Sequence, residues 1–254
     1  MTHPTGSAIP PERTVIGVLG GIGPQASARL HRVLVDRATL AVAEGRADVF
    51  PEIVHFSTRV GHFTEPGPDR AAAVDALTRA TRVLVDSGAV VIGLVCNTAH
   101  LLLPAVEAAT DAKVERIPEH VAEVVVRDGY RRVGLLATQS TLDLGLYDPV
   151  GVVTELIAAS RALTAEVSEH IVDVYTGRET PARQQEFRDL VARFRDEERL
   201  DAVILGCTEL PVAFGDADRA GVVDSIDVLS DGLLARFHAL ASSRPGAVLA
   251  RTAS

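Results

Sequence analysis

The chain has 254 residues, 47% of them hydrophobic, enough to fill one large α/β domain or two smaller ones. A formal net charge of −9 argues against a nucleic-acid or anionic-membrane partner, and no apolar run reaches the roughly 18 residues of a membrane span. The only lysine is Lys113, set between a predicted helix and strand, where neither a pyridoxal-phosphate Schiff base nor a P-loop is built, so amino-acid chemistry here would run without pyridoxal phosphate.

In chain order, β-branched and aliphatic residues predict a first strand at 14–19, closed by Gly20-Gly21-Ile22-Gly23-Pro24. A helix from Pro24 to about Leu40 follows, with proline at the first helical position, where its missing N–H costs nothing. A second strand reads at 53–56, a helix at 69–86 and a strand at 89–95 that delivers Cys96. After a helix near 101–108 the pattern begins again: a strand at 114–117, helices at 118–127 and 142–160, a strand at 132–137 and a short one near 165–168. A helix at 180–199 and a strand at 201–205 then deliver Cys207. A final strand at 222–224 and helix at 226–240 return to the first half. The domains read as 13–115 plus 212–240 and 116–211, two similar parallel-sheet units with tails at 1–12 and 241–254. In open α/β sheets ligands bind beyond the carboxyl ends of the strands, so the cleft between the halves is the expected site.

Cys96 and Cys207 are the only cysteines and sit in matched contexts, Val95-Cys96-Asn97-Thr98-Ala99-His100 and Gly206-Cys207-Thr208-Glu209-Leu210-Pro211. Each follows an apolar strand and precedes a helix start, where free backbone N–H groups and the helix dipole favour thiolate over thiol. Residues 1–13 lack the apolar core of a secretory signal, so the protein is expected in the cytoplasm with both thiols reduced. A lone cysteine is more often a small buried hydrophobe, but repetition of the context points to a paired acid and base. A zinc site from Cys96, His100 and Cys207 lacks the usual short C-x-x-C pairing, so no metal is expected.

The Gly-Gly-x-Gly-Pro turn, the Cys-Asn-Thr-Ala-His segment, Leu-Leu-Ala-Thr at 135–138 and the Gly-Cys-Thr-Glu-Leu segment together resemble the aspartate/glutamate racemase family over most of residues 14–240. These are cofactor-independent enzymes that invert amino-acid α-carbons. The resemblance implies two Rossmann-like α/β domains related by pseudo-twofold symmetry, a small amino-acid or carboxylic-acid substrate clasped between them, no cofactor and often a homodimer. Removing an α-proton leaves a carbanion, so one base and one acid are needed on opposite faces, held on rigid elements. Cys96 and Cys207 suit those roles, and as a coupled pair neither has a private pKa. Asn97, Thr98 and Thr208, with the N–H groups of the turns including Gly21 and Gly23, are placed to hold the α-carboxylate. Glu209 either meets the substrate ammonium, relays a proton, or caps its helix. His100 makes either a structural or a catalytic hydrogen bond. Substrate contact at Thr138, Ser140 and Thr141 is implied by the resemblance, although such residues also cap helices.

Aspartate-type members carry an arginine before a threonine after the second strand and a lysine before a glycine in the second domain, both binding the side-chain carboxylate. Here Phe63 and Thr176 stand at those positions, with Ser57, Arg59 and Arg178 nearby. Arg59 and Arg178 are close enough in sequence to substitute, yet a neutral or apolar side chain, or a non-standard amino acid, is expected to be turned over at least as well as aspartate. Two other activities fit parts of the pattern. Gly21-x-Gly23-x-x-Ala26 followed by Ser57-Thr58-Arg59 matches an NADP-dependent oxidoreductase, though Pro24 stiffens the loop where a pyrophosphate would approach. A decarboxylase or isomerase of a small carboxylic acid would use one protonating cysteine on the same scaffold.

Overall fold

Strand β1 (Val15–Gly20) is buried along its whole length because it has a parallel neighbour on each side, β2 (Glu52–Ser57) and β3 (Ala89–Leu94). The computed structural model describes residues 14–47, 50–61, 63–64 and 67–242, without the side chains of 241 and 242. The first sheet runs β2-β1-β3-β4, with β4 at Lys113–Glu115, and the second runs β6-β5-β7-β8. In the second sheet β5 (Arg132–Leu136) pairs with β6 (Glu155–Ala158) and β7 (Ala202–Leu205), and β7 pairs with β8 (Val222–Asp224). Both sheets are wholly parallel and have the same order offset by four strands, so β3 and β7 occupy equivalent places.

Helix α1 (Pro24–Ala43) buries Ala26, Leu30, Leu34, Ala38 and Ala41, a stripe at helical spacing, and α2 (Pro68–Asp86) buries Ala73, Ala76, Leu77, Ala80 and Leu84. Each fully buried leucine on such a stripe contributes about 1.5–3 kcal/mol of transfer free energy. A 3₁₀ turn at Thr98–Leu102 leads into the short α3 (Leu103–Glu107).

The helix expected at 142–160 is three elements. Short α5 (Gln139–Asp143) stops before Gly145, which takes φ 61, and α6 (Asp148–Val153) restarts with proline in its first turn. Strand β6 then takes Glu155–Ala158. The strand expected near 165–168 lies inside α7 (Arg161–Thr176), which Ser160 caps by accepting from the N–H of Leu163 at 3.2 Å. Helix α8 (Pro181–Glu197) and the short α9 (Leu210–Phe214) flank β7 in sequence.

Two elements cross between the halves. Helix α4 (Ile117–Arg127) leaves β4 of the first sheet and packs on α6, while α10 (Ser225–Ser242) leaves β8 of the second sheet and packs on α1 and β3. Strand β8, expected to return to the first half with its helix, instead pairs with β7, Val203 opposite Val222 and Ile204 opposite Val223, so only α10 makes the return. Two apolar residues suit either sheet's edge equally; the hydrogen-bond register decides. Where α4 meets α10, Glu115 accepts from His120 at 2.5 Å and from Arg236 at 3.0 Å. The Glu115 carboxylate pulls the His120 pKa up, and through Glu115 the two crossing helices are held together. The tails expected at 1–12 and 241–254 fall outside the described residues, except that 241 and 242 end α10. No helix among the described residues is long and apolar enough to cross a membrane.

Candidate active site

Four loops at the carboxyl ends of β1, β3, β5 and β7 carry most of the residues singled out in the sequence, while Ser57 ends β2 and Arg59 follows it. Cys96 follows β3 and Cys207 follows β7, 8% and 7% exposed, both with free thiols. Sγ of Cys207 donates to Oε2 of Glu209 at 3.1 Å, and the hydroxyl of Thr208 donates to the same oxygen at 3.2 Å. Oε1 of Glu209 is buried without a partner. It packs against Gly23, where a Cβ would overlap it, and Gly23 takes φ 129, so the turn after β1 accepts only glycine there. Gly21, at φ 91, is pressed on the backbone of Thr58 beside the hydroxyl of Ser57, and its N–H donates to Ser27 at 2.9 Å. The first half thus supplies the surface on which the carboxyl group of the second half rests. Glu209 stands at the N-cap position of α9 but makes no capping hydrogen bond, which removes the capping role considered above.

Burial pushes the Cys96 pKa up to about 12, with the charge of Glu209 adding to the effect, while the N–H groups of Ala99 and Thr98 pull it down. Cys207 is also raised, first by burial, then by Glu209 and further by Cys96. The pKa of Glu209 is itself raised by burial. Backbone N–H groups do point at the sulfur of Cys96, as its place before a helical turn predicts, but desolvation outweighs them and the closed site holds both thiols protonated.

Asn97 is buried and braced rather than open. Its Oδ1 accepts from the hydroxyl of Tyr147 at 2.6 Å, and its Nδ2 donates to Ser225 at 3.3 Å, leaving one N–H uncommitted. Thr98, Thr138 and Thr141 form a triangle of hydroxyls, with Oγ1 separations of 3.3, 2.9 and 3.0 Å, that bridges the end of β3 to the end of β5. Thr138 also caps α5 through the N–H of Thr141. Ser140 is half-buried in the first turn of α5, and Arg59 stands exposed after β2.

His100 has a settled role. Its Nε2 accepts from the N–H of Ile117 at 3.1 Å, which makes Nδ1 the protonated nitrogen, donating to the carbonyl of Cys96 at 2.8 Å. Burial lowers its pKa to about 4. Both ring nitrogens are engaged, so His100 is a neutral brace for the cysteine loop and is no ligand for zinc.

Arg178 is paired with Asp173 at 3.1 Å, and the hydroxyl of Thr176 turns back to the carbonyl of Val172 at 2.7 Å, so neither is directed at the cysteines. Phe63 is buried in the same apolar cluster as Cys96, with Ile22 and Leu19. The Gly21–Gly23 turn, where a pyrophosphate would have to sit, is filled by the Glu209 carboxyl group and the Thr58 backbone, which disfavours the dinucleotide reading.

Tyr147, Tyr175 and Ser225 were not singled out in the sequence. The hydroxyl of Tyr175 donates to the carbonyl of Ile22 at 3.2 Å, tying α7 to the glycine turn while Tyr175 is 47% exposed. The available signal was that the chain has only three tyrosines, two of which serve here.

Fold and site together define a two-domain α/β protein in which each half carries a buried cysteine just beyond an equivalent strand. Residues 19–231 match the Asp/Glu/Hydantoin racemase family, and the chain belongs to that family. Among solved structures it is similar to an aspartate racemase homologue from Pyrococcus horikoshii OT3, 23% identical over 88% of this chain and 99% of that one, with a TM-score of 0.71. It is similar also to the Picrophilus torridus aspartate racemase, 21% identical over 89% of this chain and 94% of that one, with a TM-score of 0.71. Glutamate racemase from Francisella tularensis, solved with D-glutamate, is 17% identical over 90% of this chain and 82% of that one, at a TM-score of 0.63. At these identities the structural likeness speaks for the fold.

Proposed function

We propose that the protein is a cofactor-independent racemase that inverts an amino-acid α-carbon between Cys96 and Cys207. The observation that carries this reading is the placement of two buried free thiols at equivalent strand ends of two sheets with the same topology. One thiol, as thiolate, removes the α-proton while the other, still protonated, delivers a proton to the opposite face; the reverse direction exchanges their roles. The high proton affinity of both thiols in the closed site gives the substrate a part in its own activation. An incoming ammonium group offsets the negative charge that Glu209 places beside both sulfurs, and so lowers the thiol pKa values when substrate is bound.

The substrate we propose is neutral or apolar in its side chain. Phe63 supplies an apolar surface in the Cys96 cluster, and Arg178 is held by Asp173. Deuterium uptake at Cα in heavy water, followed by NMR for each enantiomer of a panel of amino acids and 5-substituted hydantoins, tests both points. Uptake from both enantiomers with inversion is expected, and each of Cys96→Ser and Cys207→Ser should abolish inversion and the uptake from one enantiomer, a different one in each variant. Release of carbon dioxide, or inversion that survives loss of either thiol, would exclude the two-thiol mechanism.

A further inference from the structure

A cavity of about 800 Å³ opens on the opposite side of the Cys207 loop, between α1 of the first half and α8 and α9 of the second. Gln25, Arg29 and Arg32 line it from one face of α1, Gln184 and Arg188 from α8, and Asp216 from the segment just after α9. Three guanidinium groups face one carboxylate. Asp216 accepts from Arg29 at 3.2 Å and from Arg32 through both oxygens, at 3.1 and 3.2 Å, yet its side chain is 68% exposed and that of Arg32 59%. Exposed ion pairs of this kind contribute little, so another oxyanion displaces Asp216 at small cost. Arg29 in contrast is mostly buried, is anchored to Asp224 at 3.5 Å, and has a buried Nε without a partner. Arg188 is held in place by the carbonyl of Phe214 at 2.8 Å and by Gln185.

We infer that this cleft is a second ligand site, for a compact oxyanion of at least two negative charges, phosphoryl or dicarboxylate, that replaces Asp216 and bridges Arg29 and Arg32 to Arg188. The two arginines of α1 already hold a carboxylate, Arg29 through Nη1 on one oxygen and Arg32 through Nη2 on both, and guanidinium groups suit phosphate as well; Arg29 also pairs with Asp224 and Arg32 with Asp36, while Asp216 is the one carboxylate lining the cleft among the described residues. Its volume suits a small organic ligand. Such a ligand ties the two halves together directly behind the catalytic loops, because Gln25 follows Gly23 by two residues and α9 begins one residue after Glu209. Its effect on turnover rests on the racemase reading; its binding does not.

Calorimetric titration with inorganic phosphate, pyrophosphate and malonate, at matched ionic strength, tests the site. Saturable binding of pyrophosphate or malonate is expected, with the preferred probe separating phosphoryl from dicarboxylate ligands. Arg32→Ala and Arg188→Ala should each weaken it about tenfold, Arg32→Gln should do the same with less loss of volume, and Asp216→Asn should tighten it by removing the competing carboxylate. Binding should persist in Cys96→Ser. Absence of saturable binding, affinity indifferent to both arginines, or weaker binding in Asp216→Asn would overturn the inference. Anion binding in a protein that exchanges no α-proton would leave this site standing and remove only the racemase reading.

Discussion

Oε2 of Glu209 accepts a hydrogen bond from Sγ of Cys207 at 3.1 Å, so the same carboxyl group that raises the thiol's pKa also orients its proton. Glu209→Gln keeps the shape and removes the charge. The charge raises Cys207, so its loss lowers the thiol pKa, and the rise of α-proton exchange with pH should move to lower pH. A pH–rate profile unmoved by the substitution would show that the carboxylate does not govern the thiol.

Gly23 has no room for a side chain. Gly23→Ala sets a Cβ against Oε1 of Glu209 and forces a φ of 129 on a residue with a side chain. A loss of about 2–4 kcal/mol in denaturant unfolding is expected from strain and overlap together, with exchange activity reduced further because Glu209 is displaced from Cys207. Wild-type stability in the alanine variant would mean that the turn relaxes freely.

Tyr147→Phe leaves Oδ1 of Asn97 buried without its donor. The expected cost is about 1–3 kcal/mol, and because Asn97 adjoins Cys96, the turnover number should fall more than the apparent substrate affinity. Equal turnover in the variant would assign Tyr147 to stability alone.

His100 gives the fold an acid limit. Its pKa is lowered from 6.5 to about 4 on folding, chiefly by burial, so its contribution is fully present above pH 6.5 and is lost as pH falls through about 4. This amounts to about 3 kcal/mol over that window. Urea unfolding between pH 7 and 4 should lose part of this slope in His100→Gln, whereas the pH–rate profile of the wild type should show no ionisation belonging to this ring.

Phe63→Arg places a cation in the apolar cluster around Cys96, where the family resemblance leads one to expect an arginine. Relative exchange rates should shift toward aspartate and away from apolar amino acids, read as the ratio of kcat/KM between them. An unchanged ratio would place side-chain recognition elsewhere, with Arg59 the next position to substitute.

Much of this arrangement was legible in the chain itself. Strands β1, β3, β5 and β7 are short apolar runs closed by glycine, cysteine or threonine, and these local signals survive folding because both faces of a central parallel strand are buried. The reading failed at 142–160, where Gly145 and Pro149 punctuate what looks like one helix, and at 165–168, where an apolar alternation proved to be part of α7. Short apolar segments do not declare their period, and the neighbouring sheet edge decides it.

The sequence by itself determined that two cysteines end equivalent strands, since repetition of a strand, a thiol and a helix start is a local pattern that needs no partner to be seen. Tertiary structure alone decided that β8 joins the second sheet, that Glu209 rests on Gly23 across the two halves, and that His100 is a neutral brace. It also decided the protonation of the thiols, because desolvation depends on every group packed around a sulfur, and those groups come from segments far apart in the chain.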